Sequence, residues 1–323
     1  MGAGITMAVT REEVIFAYRL LLDRMPESEE VIQNHTRADS LRSLLHGFMR
    51  SPEFLEKATS LAVTRLPLNV PAIELDTDAS DHEVAQCLAR IKEAWTHLGA
   101  VTPHFSVLTE SQFLPENIEG SLEGFWASGQ AEAARLADIC QRFELRDLPS
   151  KTCVELGCGV GRVTTGLAKL CATVRAYDIS ANHLAYAVQR ARALALTNIA
   201  FHLCSDNLLE TLGPCDLFYS AIVLQHNPPV VISRLVRNAL RSLRVGGLAI
   251  FQVPTYELGY RFKTSEWLAA KHALDMQMHC LPQARIFEIA SEEHCRVLEV
   301  REDAWAGPPN KRLSNTFVIR KMA

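Results

Sequence analysis

The sequence holds no C-x-x-C pair, no long apolar run and no large surplus of either charge. Its nine cysteines stand at 87, 140, 153, 158, 171, 204, 215, 280 and 295. Without paired spacing they describe no zinc site, and most lie in apolar stretches, so they are expected reduced and buried rather than bridged. No apolar run approaches the roughly 20 residues that a membrane-spanning helix needs. The N-terminus has no basic-then-apolar signal region, which leads to the expectation of a cytoplasmic protein. The opening "MGAGIT" fits the loose myristoylation pattern through Gly2 and Thr6, but no basic patch or second anchor follows it. A net charge of -4 gives no reason to expect nucleic acid as a partner.

What is present is an ordinary globular composition, 48% hydrophobic and 22% charged over 323 residues, enough for one large domain or two. Residues 11 to 56 read as two or three short amphipathic helices, with Thr10 and Glu13 spaced as a capping box and Pro26 interrupting the pattern. The stretch "TRLPLNVPAIELDTDASD", Thr64 to Asp81, carries two prolines and several turn formers and reads as a linker. A helical pattern resumes from His82 to Leu98. The connector "GAVTPHFSVLTESQFLPENIEG" follows, and a second helix runs to about Leu145. The expected organisation is a helical module at 1–60, a linker and helical cap at 61–145, and a main domain at 146–323.

After Pro149 short β-rich runs alternate with helices: Thr152 to Leu156, Val174 to Tyr177, Ile199 to Leu203, Leu217 to Ser220 and Leu248 to Val253. Such alternation predicts parallel βαβ units with helices on both faces of a twisted sheet, an α/β fold. Two final runs, Arg296 to Arg301 and Asn315 to Arg320, flank "AGPPNK" and are expected to pair as an antiparallel hairpin at one edge.

The first strand leads into "CVELGCGVGRVTTGLAKL". Glycines at this position let backbone pass close under a ligand, and the helix that follows presents free N–H groups. The spacing is G-x-G-x-G, and Arg162 stands where a dinucleotide fingerprint wants a small residue, which weighs against NAD or FAD. Asp178 closes the second strand in "VRAYDIS", about 20 residues past Glu155, the offset of a carboxylate that grips ribose hydroxyls. Asp206 follows the third strand in "CSDN". Three carboxylates at successive strand ends are hard to assign to packing alone and describe a nucleoside cleft.

The consecutive motifs "VELGCGVGR", "AYDIS", "CSDN" and "YSAIVLQHNPP" resemble those of class I S-adenosylmethionine-dependent methyltransferases, over roughly Pro149 to Lys321. The resemblance implies a Rossmann-like seven-stranded sheet with its last strand antiparallel, and S-adenosylmethionine as cofactor. It places Gly157, Gly159 and Gly161 under the methionine part, Asp178 with Ile179 at the ribose, and Asp206 with Asn207 near adenine. It also lays "HFSVLTESQF" and "FWASG" over the cofactor. Glu155 is expected to face the cationic methionine end. Arg162 either pairs with the cofactor's carboxylate or is an exposed first-turn arginine.

Methyl transfer from a sulfonium needs alignment more than a metal, and a positioned base adds roughly 10² to 10⁴ in rate for a neutral hydroxyl. His226, at the strand-end rim in "LQHNPP", is the candidate base, with structural bonding to the turn as the alternative. His183 is expected to face solvent or cover the cofactor. No metal is expected, since Asp216 precedes its strand and lies at the wrong end. In the insertion "PTYELGYRFKTSEWLAAKHALDMQMHCLP", Tyr256, Tyr260, Trp267 and His279, with Trp126 from upstream, are candidates for an acceptor pocket; a lid packed on its own core is the alternative.

The N-terminal "Y-x-x-L-L-x-R-x-P" and "S-x-E-F" resemble a small helical domain found beside bacterial glycosyltransferases and carbohydrate-modifying methyltransferases. That resemblance implies a saccharide hydroxyl as acceptor, or docking and homo-oligomer formation through these helices. The alternatives are an enzyme acting on a small natural product or amine, and a catalytically silent cofactor-binding interaction protein.

Overall fold

The computed structural model describes residues 9–54, 70–204, 212–271, 273–307 and 311–323. The chain divides into two compact units, Met1–Arg65 and Leu66–Ala323.

Among the described residues of the first unit, three helices, α1 (Arg11–Leu22), α2 (Glu29–Thr36) and α3 (Leu41–Met49), surround a small core of Val14, Ala17, Tyr18, Leu22, Ile32, Leu44 and Phe48. Thr10 and Glu13 close the expected capping box on α1. The motif residues are internal staples. Arg24 donates to both oxygens of Glu53, at 2.7 and 2.8 Å, and its guanidinium lies 4.9 Å from the centre of the Tyr18 ring.

The second unit begins with a strand of two residues, β1 (Glu74–Leu75), and two long helices, α4 (Asp81–Val101) and α5 (Ile118–Arg142). Next come β2 (Thr152–Leu156), α6 (Thr164–Leu170), β3 (Thr173–Asp178), α7 (Ala181–Ala193), β4 (Ile199–Leu203) and β5 (Cys215–Ser220). The chain closes with α8 (Pro229–Ser242), β6 (Leu243–Glu257), β7 (Arg261–Phe262), α9 (Thr264–Ala269), α10 (Gln283–Glu292), β8 (Cys295–Asp303) and β9 (Arg312–Lys321). Seven strands form one sheet in the order β4-β3-β2-β5-β6-β9-β8, with β9 antiparallel to both neighbours. The sequence spacing placed every one of these strands, although β6 runs well beyond the expected Leu248–Val253.

Phe218, Phe251 and Phe317, on β5, β6 and β9, are fully buried. Each side chain removed from water in this way contributes about 1.5–3 kcal/mol. Strand order reverses between β2 and β5, so the crevice beyond their carboxyl ends is the place for a ligand. Asp216 lies at the opposite end, accepting from the Thr152 N–H at 2.9 Å.

Residues 70–81 are more ordered than a linker would be. β1 pairs in parallel with β7, and Asp76 accepts from the Thr264 N–H at 2.8 Å at the start of α9. The extended segment is thereby fastened to the insertion that follows β6.

Candidate active site

The loop after β2 is shaped by backbone bonds to β3. The N–H groups of Gly157 and Cys158 both donate to the Tyr177 carbonyl, at 2.8 and 3.0 Å. The Gly159 N–H donates to one Asp178 oxygen at 2.7 Å, and the Ser180 N–H donates to the other at 2.8 Å. Gly157 and Gly159 adopt φ of 76° and 54°, where an L side chain is strained. A Cβ on Gly157 would stand 2.2 Å from a Val223 methyl, and one on Gly159 2.7 Å from a Val107 methyl. The cradle is closed from both sides. Gly161 serves differently, since it does not line the cavity and instead lies against Ala187 of α7.

Above this loop lies a cavity bounded by the ends of β2, β3 and β5 and by α4. Glu155, Gly157, Gly159, Arg162, Asp178 and Ile179 all line it, as expected. Glu155 is 3% exposed and its Oε2 has no hydrogen-bond partner. Burial pushes its carboxyl up to about 7, with Thr164 and Arg162 pulling the other way. A buried carboxylate oxygen without a donor is costly unless a ligand supplies one. Arg162 is 6% exposed, so it is not a surface arginine; its Nη1 donates to Ser128 Oγ at 3.1 Å and its Nε has no partner. Each side chain thus keeps one polar atom without a partner, and both line the cavity, which fits the ammonium and carboxylate of an amino-acid group. Asp178 is raised by burial, against the backbone N–H groups and His183 beside it, and its carboxylate keeps acceptor capacity for hydroxyls.

Sequence reasoning missed the supports behind these groups. The Tyr219 hydroxyl donates to Glu132 at 2.8 Å, and Glu132 holds Arg135 at 2.6 and 2.9 Å. Gly129 lets α5 touch the loop: a Cβ there would fall 2.0 Å from the Arg162 carbonyl. The second omission is the apolar stripe of α4. Leu88, Ile91, Lys92 and Trp95 face the cavity at helical spacing. That periodicity was visible in the sequence, but it did not say which pocket the stripe covers. Of "HFSVLTESQF", Ser106 and Val107 line the cavity. His183 does so too; it is 1% exposed rather than facing solvent, and its Nε2 lies 2.8 Å from Ser106 Oγ.

His226 stands elsewhere. It does not line the cavity, and its Nδ1 lies 2.9 Å from the Gln277 carbonyl, which fixes the proton on Nδ1 and leaves Nε2 to accept from Gln225 at 3.3 Å. Burial lowers its pKa to about 4. The Nδ1 bond is the structural bonding weighed as the alternative to a base, and Nε2 meets Gln225 instead of the cavity.

The aromatic residues fit the packed alternative better. Trp126, Tyr256, Tyr260, Trp267 and His279 are not among the cavity's lining residues. The Tyr256 hydroxyl donates to the Pro71 carbonyl at 2.8 Å, and Tyr260 hydrogen-bonds His279 Nδ1 at 2.8 Å. Trp267 donates to Gln277 at 2.9 Å, while the Arg190 guanidinium covers Trp126 at 4.4 Å. Tyr260, His279 and Trp267 tie the insertion together, Tyr256 fastens it to the segment before α4, and Trp126 packs on α5 under Arg190 of α7. Asp206 and Asn207 lie outside the described residues. Among the described residues no three His, Cys, Asp or Glu side chains converge as metal ligands.

Beside the cavity, Ile222 has φ of 59°. For a β-branched residue this is a true outlier, costing on the order of 1–3 kcal/mol, and such strain concentrates at functional sites.

Residues 153–247 match the family model described as "Methyltransferase domain". Among solved structures, the chain is similar to magnesium protoporphyrin IX methyltransferase from Synechocystis PCC 6803 with bound SAH, at 18% identity and TM-score 0.46, covering 62% of this chain and 87% of that one. It is similar to a putative sarcosine dimethylglycine methyltransferase from Galdieria sulphuraria, at 14% identity and TM-score 0.47, covering 59% and 86%. A third is geranyl diphosphate C-methyltransferase from Streptomyces coelicolor A3(2), at 14% identity and TM-score 0.46, covering 58% and 77%. No curated protein matches the chain. The stretch from β2 into β6 thus matches a methyltransferase domain.

Proposed function

We propose that this enzyme methylates a small-molecule acceptor, with Glu155 holding the cofactor's ammonium, Arg162 its carboxylate and Asp178 its ribose hydroxyls. One observation carries the reading: Glu155 Oε2 and Arg162 Nε are both buried without a partner, on two residues that line the cavity over the glycine loop. When bound, S-adenosylmethionine supplies a sulfonium methyl whose in-line displacement neutralises charge. The chain's contribution is then alignment and exclusion of water, which supplies much of the barrier reduction in well-oriented transfers. Leu88, Ile91, Trp95, Ile222 and Val223 give the rest of the cavity an apolar wall. With His226 turned away, an acceptor that needs little help with its proton fits best, an amine or an acidic hydroxyl on an apolar framework.

A saccharide hydroxyl is the second reading. The N-terminal motif of Tyr18, Arg24, Pro26, Ser51, Glu53 and Phe54 favours it; that Trp126, Tyr256, Tyr260 and Trp267 do not line the cavity weighs against it. An acceptor panel of phenols, amines, hydroxy acids and saccharides, read by formation of S-adenosylhomocysteine, separates the two. Turnover confined to saccharides would overturn the preferred acceptor class. No turnover together with no cofactor binding would overturn the enzyme.

A further inference from the structure

The strained Ile222 is held by a buried hydrogen-bond chain that neither the cofactor contacts nor the apolar wall explains. Its N–H donates to Gln252 Oε1 at 2.9 Å. Gln252, in the middle of β6 and buried, donates from Nε2 to Gln225 Oε1 at 3.0 Å and to Ser314 Oγ of β9 at 2.8 Å. Gln225 in turn meets His226, which is anchored on the Gln277 carbonyl. The Gln225 carbonyl accepts from the His279 N–H at 2.7 Å. Every polar atom of the Gln252 amide is thus committed, and its orientation is fixed from two directions.

What the chain holds is the segment Ala221–Val223, all three residues of which line the cavity. Val223 is also the residue against which Gly157 packs without room for a Cβ. A line of contact therefore runs from β9 through Gln252 and Ile222 to Val223 and the cofactor loop. Strain of this kind persists only where the surroundings over-determine it.

We propose that Gln252 is a positioning residue: it keeps Ile222 in the left-handed conformation that sets Val223 against Gly157 and shapes the cofactor cavity. Gln225 and His226 brace Gln252 from the far side. The proposal rests on the S-adenosylmethionine reading of the cavity.

The test is a double-mutant cycle on binding of S-adenosylhomocysteine by calorimetry, with the full chain. Gln252→Met keeps volume and removes the bond to Ile222, and it is expected to weaken binding about tenfold. Ile222→Gly lets the segment adopt positive φ freely. In that background Gln252→Met is expected to change affinity less than twofold, a coupling that mere loss of core packing would not produce. Equal penalties in both backgrounds, or full affinity in Gln252→Met, overturn the proposal. If Gln252→Met does not fold, Gln225→Met in the same two backgrounds replaces it, with the same coupling expected and additivity overturning the idea. A wild-type chain that binds no S-adenosylhomocysteine overturns the cofactor reading and this proposal with it, whereas wild-type binding without coupling overturns this proposal alone.

Discussion

The two walls of the cavity are built differently. One consists of strand ends and their turns, Glu155, Gly157, Gly159, Asp178 and Ile179, where position along the chain dictates position in space. The other is assembled from α4, the connector and the segment after β5, through Trp95, Ser106, Ile222 and Val223. The first wall carries charge and open acceptors; the second is apolar, and its shape depends on packing between distant segments. Cofactor chemistry can therefore be read from local motifs, whereas acceptor chemistry resides in tertiary arrangement.

Breaking the first wall should have the largest effect. Gly157→Val combines a positive φ with a Cβ that would stand 2.2 Å from Val223. It is expected to weaken binding of S-adenosylhomocysteine at least about 100-fold, measured by calorimetry, the scale of strain and overpacking together.

A pH titration sharpens the contrast next. In the proposed reading Glu155 is ionised when it holds the ammonium, and burial pushes its carboxyl up to about 7. Cofactor affinity should be full above about pH 7 and fall by up to about tenfold per pH unit below it, since one pKa unit corresponds to a tenfold change. Glu155→Gln should lower the affinity and flatten this slope. Because the folded value lies above the ordinary 4.5, the same group makes the empty protein lose stability as pH rises from 4.5 to about 7.

The second wall is expected to separate binding from turnover. Trp95→Ala removes a large apolar surface from the cavity and should leave affinity for S-adenosylhomocysteine within about threefold while lowering kcat/KM for an active acceptor about tenfold or more. An equal loss in both would place Trp95 on the cofactor instead.

Tyr260→Phe should have the smallest effect. Its hydroxyl is bonded to His279 inside the insertion, so thermal unfolding should show a loss of about 1 kcal/mol, the usual worth of such a bond, with cofactor affinity unchanged.

The sheet was legible because each strand is a short β-rich run bounded by turn residues, and the order of helices and strands leaves few topologies open. Gly157, Gly159 and Asp178 were legible for the same reason: they follow strands directly. For His226 the place at the rim left base and structural bonding both open, because the direction of its ring is set by the Gln277 carbonyl, some 50 residues downstream. The aromatic residues of the insertion were ambiguous by composition, since Tyr256 and Tyr260 serve equally well as packing and as platform, and the docking of residues 70–81 favours packing. Trp95 carried no motif at all. It lies far upstream of the sheet, and its role depends on where α4 comes to rest.

The most direct test is calorimetric titration of S-adenosylhomocysteine into the wild-type chain and into Asp178→Ala. Asp178 both grips the proposed ribose hydroxyls and ties the loop through the Gly159 and Ser180 N–H groups. One-site binding by the wild type, weakened about 10- to 100-fold in the variant as loss of hydrogen bonds to a charged group would give, is the predicted result. No binding by the wild type, or equal affinity in both proteins, would contradict it.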